Sequence, residues 1–137
     1  MSNSATALLV YAAWTLLLLS SIAILRVTLS ASGRRAPNSF AVSGDDVSPF
    51  SGRLCRAHAN CFESLPAFAS IVLVAITSDN THITEPLALW ATAARVGQST
   101  AHLISTSNRA VQVRFAFLLA QLLIQFWWII SLLGVWL

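Results

Sequence analysis

The chain has 137 residues, of which 56% are hydrophobic and 9% are charged, and its mean hydropathy is +0.71. A soluble domain has about a quarter charged residues, so this composition excludes an ordinary soluble fold and predicts a protein of the lipid bilayer. The basic residues are all arginines scattered beside apolar runs, so we interpret the net charge of +3 as a topology signal and expect no nucleic-acid partner.

Long apolar runs predict four transmembrane helices, at about residues 5–29, 54–78, 86–105 and 110–136. About 20 residues cross a hydrocarbon core of ~30 Å at 1.5 Å per residue. None of the runs shows the alternation of a barrel strand. We therefore predict an all-α integral membrane protein, a single four-helix bundle over residues 1–137. The first run is not expected to be a signal peptide, because no positive side chain precedes it.

The loops differ in charge, which predicts the orientation of the chain. The first loop, about residues 30–53, is a Ser-, Gly-, Pro- and Asp-rich linker or lid with several arginines, and the third loop holds Arg109. The second loop holds Asp79 and Glu85 and no basic residue. The positive-inside rule then places loops one and three in the cytoplasm and both termini outside, in the cell membrane.

Polar residues form a stripe on each of the last three predicted helices. In chain order the stripes are Arg56, Asn60 and Glu63; Arg95, Gln98 and His102; and Arg114, Gln121 and Gln125. Counted from the outer helix ends at 1.5 Å per residue, Glu63 lies about 22 Å deep and Arg95 about 14 Å deep. An arginine side chain can reach across that difference, so we expect Glu63 and Arg95 to form an ion pair.

Three stripes in the cytoplasmic half of the membrane predict a polar pocket that binds an anionic ligand with carboxylates. Other interpretations stay open. Arg56 and Arg114 could extend to the interface, Gln121 and Gln125 could bond neighbouring helices, and Glu63 with Arg95 could be a buried structural pair. No metal site is expected, because the three histidines lie on different segments. His102 is the only candidate titrating base in the pocket.

The segment "RAHANCFE", Arg56 to Glu63, resembles the helix-two signature of the MAPEG family, the membrane-associated proteins in eicosanoid and glutathione metabolism. The segment "RAVQVR", Arg109 to Arg114, resembles a helix-four segment of that family that ends in a thiol-activating arginine. The resemblance covers nearly the whole chain. It differs from the eicosanoid enzymes at Ser64 and His102, where tyrosines are expected, a difference often found in bacterial members.

This resemblance implies a homotrimer with glutathione, as co-substrate, bound between neighbouring protomers. The implied glutathione contacts are Arg56, Asn60, Glu63, Arg95, His102 and, in the first loop, Arg34 or Arg35. Arg114 would be the catalytic residue that stabilises the thiolate. We expect Gly97, with its small neighbours Ala93, Ala94 and Ala101, to permit close helix approach in the oligomer.

The implied activity is that of a glutathione transferase or peroxidase acting on a lipophilic electrophile or hydroperoxide from the bilayer. A guanidinium in a low-dielectric pocket lowers the pKa of a thiol, which raises the thiolate fraction by roughly tenfold or more. One alternative is a non-catalytic scaffold of the same fold that binds lipid or glutathione. Another is a small multidrug exporter, which needs a glutamate in helix one that this chain lacks.

Overall fold

The computed structural model describes all 137 residues and contains helices and no strand. The helices are α1 (Asn3–Ala31), α2 (Pro49–Thr77), the single turn α3 (Thr81–Thr84), α4 (Ala88–Ile104) and α5 (Asn108–Trp136). Of the predicted helices, the second begins five residues earlier than expected, and the third is shorter by two residues at its start and one at its end. The fold is all-α.

Serine caps explain where three of the long helices begin. The hydroxyls of Ser2, Ser48 and Ser107 accept hydrogen bonds from main-chain amides in the first turns of α1, α2 and α5. Pro49, at the first position of α2, lacks the amide hydrogen that would be unpaired there in any case. The Ser-Pro pair therefore starts α2 in a polar segment, before the apolar run begins.

Three helices are long and apolar enough to cross a bilayer. α1, α2 and α5 have 29 residues each, with mean hydropathies of 2.3, 1.7 and 2.0 in their most apolar windows. α4 has only 17 residues, and Arg95, Gln98 and His102 lie on it. Most of the large apolar side chains on α1 and α5 are exposed, as expected for surfaces that face lipid. The chain is therefore an integral membrane protein.

α1, α2 and α4 pack against one another, and α5 packs mainly along α4. An aromatic series links α1, α2 and α5, with ring centroids 5.0 Å apart for Tyr11 and Phe68 and 6.0 Å apart for Phe68 and Trp128. A Cβ atom on Gly97 would lie 2.8 Å from the ring of Phe117. Gly97 thus permits close approach of α4 and α5 within one chain, where the sequence had suggested an oligomer contact.

Candidate functional site

The imidazole of His102, near the end of α4, contacts polar side chains of two other helices. Arg114 Nη1 of α5 donates to His102 Nδ1 at 2.7 Å, and Asn60 Nδ2 of α2 lies 3.2 Å from His102 Nε2. A guanidinium can only donate, so Nδ1 is the acceptor and the neutral ring has its proton on Nε2. The Asn60 amide nitrogen is also a donor, so it contacts Nε2 without a hydrogen bond and donates instead to the main-chain oxygen of Arg56 at 3.0 Å. His102 therefore fixes one nitrogen of Arg114 while its own ring adds no charge.

Arg95, two turns earlier on α4, is buried without a carboxylate partner. Its side chain is 2% exposed, and Nη1 donates to the main-chain oxygen of Asn60 at 3.4 Å. Its Cζ lies 5.7 Å from the centroid of the Tyr11 ring, and its Nε has no hydrogen-bond partner. Asn60, Arg95, His102 and Arg114 together form what we name the three-helix cluster. It holds two cations whose partners are all neutral.

The predicted ion pair between Glu63 and Arg95 is wrong for this chain. The structure contains two ion pairs, neither of which includes Glu63 or Arg95, and Glu63 is exposed on the outside of α2. Successive residues turn by about 100° around a helix, so Glu63 lies about 200° from Cys61, which faces the core. The reach of the Arg95 side chain did not bring the two groups together, because α2 points Glu63 away from the core.

Two of the predicted site residues, Arg35 and Arg56, lie outside the three-helix cluster and pair with consecutive aspartates of the first loop. Arg35 Nη2 lies 2.6 Å from Asp46 Oδ2, and Arg56 Nη2 lies 2.9 Å from Asp45 Oδ1. We name these four residues the loop clamp. The hydrogen bond from Arg35 is the main reason that the pKa of Asp46 lies below its ordinary value.

Gly52 allows the loop clamp to sit tightly on α2. A Cβ atom at this position would collide with Asp45 Oδ1. The Asp45 carboxylate can therefore rest against the first turn of α2 and reach Arg56 one turn further on. The side chains of Arg56 and Asp45 remain 55% and 54% exposed, so this ion pair is in contact with solvent.

The glutamines of the predicted stripes bond to each other. Gln121 Nε2 donates to Gln98 Oε1 at 3.0 Å and to the main-chain oxygen of Phe117 at 2.9 Å, and both glutamines are buried. For Gln98 and Gln121, the structure thus favours interhelical bonding over pocket lining. Gln125 faces a separate cavity of about 140 Å³ between α2 and α5.

The sequence prediction missed a hydroxyl pair beside Arg95. Tyr11 Oη of α1 lies 2.5 Å from Ser64 Oγ of α2, and the Tyr11 ring stacks under the Arg95 guanidinium. Tyr11 is the only tyrosine of the chain. Tyr11 lies about 12 Å from the start of α1, a depth close to that of Arg95. This similarity in depth could have predicted their contact. Asp45 was also missed, because nothing in its sequence context pairs it with Arg56.

Comparison with known proteins identifies the family of this chain. The model of the MAPEG family matches residues 4–134, nearly the whole chain. No curated protein and no solved structure matches. A family match of this extent, on an all-helical membrane protein, means that the chain belongs to the MAPEG family, the membrane-associated proteins in eicosanoid and glutathione metabolism.

Proposed function

We propose that the three-helix cluster binds glutathione and that Arg114 stabilises its thiolate for attack on a lipophilic electrophile or hydroperoxide. The observation that supports this most is the absence of any carboxylate beside Arg95 and Arg114. Charge-assisted hydrogen bonds between guanidinium groups and carboxylates are about twice as strong as neutral ones. Two cations that have only neutral partners can therefore bind an anion without first breaking an ion pair.

The division of labour within the cluster follows from the contacts. Arg95 is buried and has an unpartnered Nε, so it suits a fixed group of the ligand. Arg114 is held by His102 through one nitrogen and is only partly buried, so its remaining N–H groups can reach a mobile thiol. Asn60 lies between the two arginines and can bond the peptide backbone of the ligand.

We propose that the site is completed by neighbouring copies in a homotrimer. Glu63 is exposed on a helix that is apolar enough to span the bilayer. A charged side chain in hydrocarbon costs about 2.5–3.5 kcal/mol even on the lenient insertion scale. A second protomer that covers this face of α2 would shield Glu63 and bring it, with Arg56, towards a ligand. In this arrangement α4 is the fourth membrane span, and the cluster lies in the cytoplasmic half of the membrane.

A non-catalytic scaffold of the same fold is the second candidate. The observation that favours it is the Asp45–Arg56 ion pair, which occupies a cation that the family uses for glutathione. A scaffold would bind ligand and form no thiolate.

The test separates binding from ionisation. Arg114→Ala should change glutathione affinity only a few-fold, abolish the ultraviolet thiolate signal at pH 7, and lower turnover of a generic electrophile by about 10²–10³. Asn60→Ala should weaken binding by about 1–3 kcal/mol and leave the bound thiol ionised. Arg109→Ala is the matched control, because Arg109 is an exposed arginine of the same helix that makes no ion pair. Wild-type thiolate and turnover in Arg114→Ala would remove this residue from the mechanism.

A further inference from the structure

Arg26, near the end of α1, is a cation that the proposed glutathione site does not use. Its Nη2 donates to the main-chain oxygen of Ala41 at 3.0 Å, and its Cζ lies 5.5 Å from the Phe40 ring centroid. It takes part in neither of the two ion pairs. Arg26 lies five residues before Ala31, about 8 Å from the end of the helix, so it sits at the depth where hydrocarbon gives way to headgroups.

A cavity of about 570 Å³ lies between the end of α1 and the first loop, beside Arg26. Ser30 and Asn38 add a hydroxyl and an amide to the guanidinium, while Pro37 and Phe40 form part of an apolar wall. Val27 also lines this cavity and is 67% exposed, on the surface of α1 that faces lipid. The cavity therefore combines a largely apolar lining with one guanidinium, and it is accessible from the bilayer.

A second cavity, of about 230 Å³, continues from Arg26 along α1 and α2. It is lined mainly by apolar side chains, and Leu19 and Ile22 lie one to two turns further into the membrane than Arg26. Arg26 lines both cavities, and no acidic residue lines either. The first cavity thus places a cation at headgroup depth. The second cavity, which we name the apolar slot, lies deeper in the membrane.

We propose that these two cavities bind an anionic bilayer lipid, with its phosphate on Arg26 and part of an acyl chain in the apolar slot. Guanidinium groups bind phosphate oxygens through parallel charge-assisted hydrogen bonds, and Ser30 and Asn38 can bond the remaining headgroup oxygens. A free phosphate would use the first cavity alone, whereas a lipid uses both and reaches them through the opening at Val27. The site is separate from the three-helix cluster, and the proposal does not depend on glutathione binding.

The test is native mass spectrometry of the intact detergent-solubilised protein with added phosphatidylglycerol or phosphatidylcholine of identical acyl chains. We expect wild type to retain phosphatidylglycerol at least about tenfold better, and Arg26→Gln to lose this preference. Arg109→Gln removes one exposed arginine elsewhere and should keep the preference, because general surface attraction falls equally in both variants. Val27→Phe retains Arg26 but narrows the opening from the bilayer, and it should also lose the lipid.

The remaining outcomes overturn the proposal. Equal retention of the two lipids by wild type, or an undiminished preference in both Arg26→Gln and Val27→Phe, would show that these cavities hold no anionic lipid. If inorganic phosphate alone displaces the lipid and raises the melting temperature of wild type as much as the lipid does, the first cavity is a free-phosphate site. If Arg26→Gln does not fold, Val27→Phe alone provides the test: loss of the preference for phosphatidylglycerol supports the lipid site, and an undiminished preference overturns it.

Discussion

The three-helix cluster and the loop clamp both hold two arginines, yet they compensate the charges in opposite ways. In the clamp, each arginine has its own aspartate at 2.6 or 2.9 Å, and the groups remain in contact with water. In the cluster, Arg95 is buried and Arg114 is half-buried, and the two contact only a main-chain oxygen, an imidazole and an aromatic ring. A cation with a carboxylate partner holds a loop in place, whereas one without a partner remains available to a ligand.

The largest expected effect is on glutathione affinity, when one arginine is removed from each region in turn. Arg95→Met should weaken glutathione binding by about 10–150-fold, because a bond from a buried cation to an anion contributes about 1.5–3 kcal/mol. Arg56→Met should weaken it less, since Arg56 must first release Asp45. Isothermal titration of both variants measures this. If the loss for Arg56→Met is equal or larger, the clamp arginine is the stronger ligand contact and the comparison fails.

An intermediate effect is expected from Gly52→Ala, which acts on the clamp alone. The added Cβ atom collides with Asp45 Oδ1, so this exposed side chain must turn away and release Arg56, at a cost of up to about 1 kcal/mol of unfolding free energy. Gly134→Ala in α5 is the control, because a Cβ there meets nothing within 4 Å. Thermal unfolding in detergent should separate the two variants. A Gly52→Ala protein as stable as Gly134→Ala would mean that the loop does not dock on α2.

The smallest effect concerns pH, through Asp46 in the clamp. Its folded pKa lies below the ordinary value, so its contribution to loop order is complete above about pH 4 and is lost as the pH falls further. Hydrogen exchange of residues 39–47, corrected for intrinsic rates, should therefore show less protection near pH 2.5 than at pH 5. Asp46→Asn should remove this difference. Wild-type protection that stays constant or rises in acid would contradict the assigned pairing.

Much of the fold could be predicted from the sequence, because long apolar runs allow few alternatives to membrane helices. α1, α2 and α5 were expected close to where they lie. The early start of α2 at Pro49 was missed although Ser48 and Pro49 are a recognisable capping pair. Hydropathy marks the part of a helix that lies in lipid, and this helix begins in a polar segment before that part.

The candidate site was harder to predict. Helical periodicity shows which side chains share a face of a helix, but it does not show which neighbouring helix that face contacts. The spacing of Arg56, Asn60 and Glu63 is helical, as predicted. Within one chain, however, only Asn60 belongs to the three-helix cluster. The contact between His102 and Arg114 joins two of the predicted stripes. Which stripe faces which neighbour depends on packing by residues such as Tyr11, and the pattern of one helix does not contain that information.

The claim that the cluster binds an anion through uncompensated cations can be tested without changing the protein. Glutathione and its diethyl ester share the thiol and the peptide backbone, and they differ in the two carboxylates. Titration of each into the wild-type protein at constant salt should give binding for glutathione and a loss of about tenfold or more for the ester, since the charge-assisted contact between a carboxylate and Arg95 disappears. Equal affinity for glutathione and the ester would contradict the account, because ligand recognition would then not depend on the carboxylates.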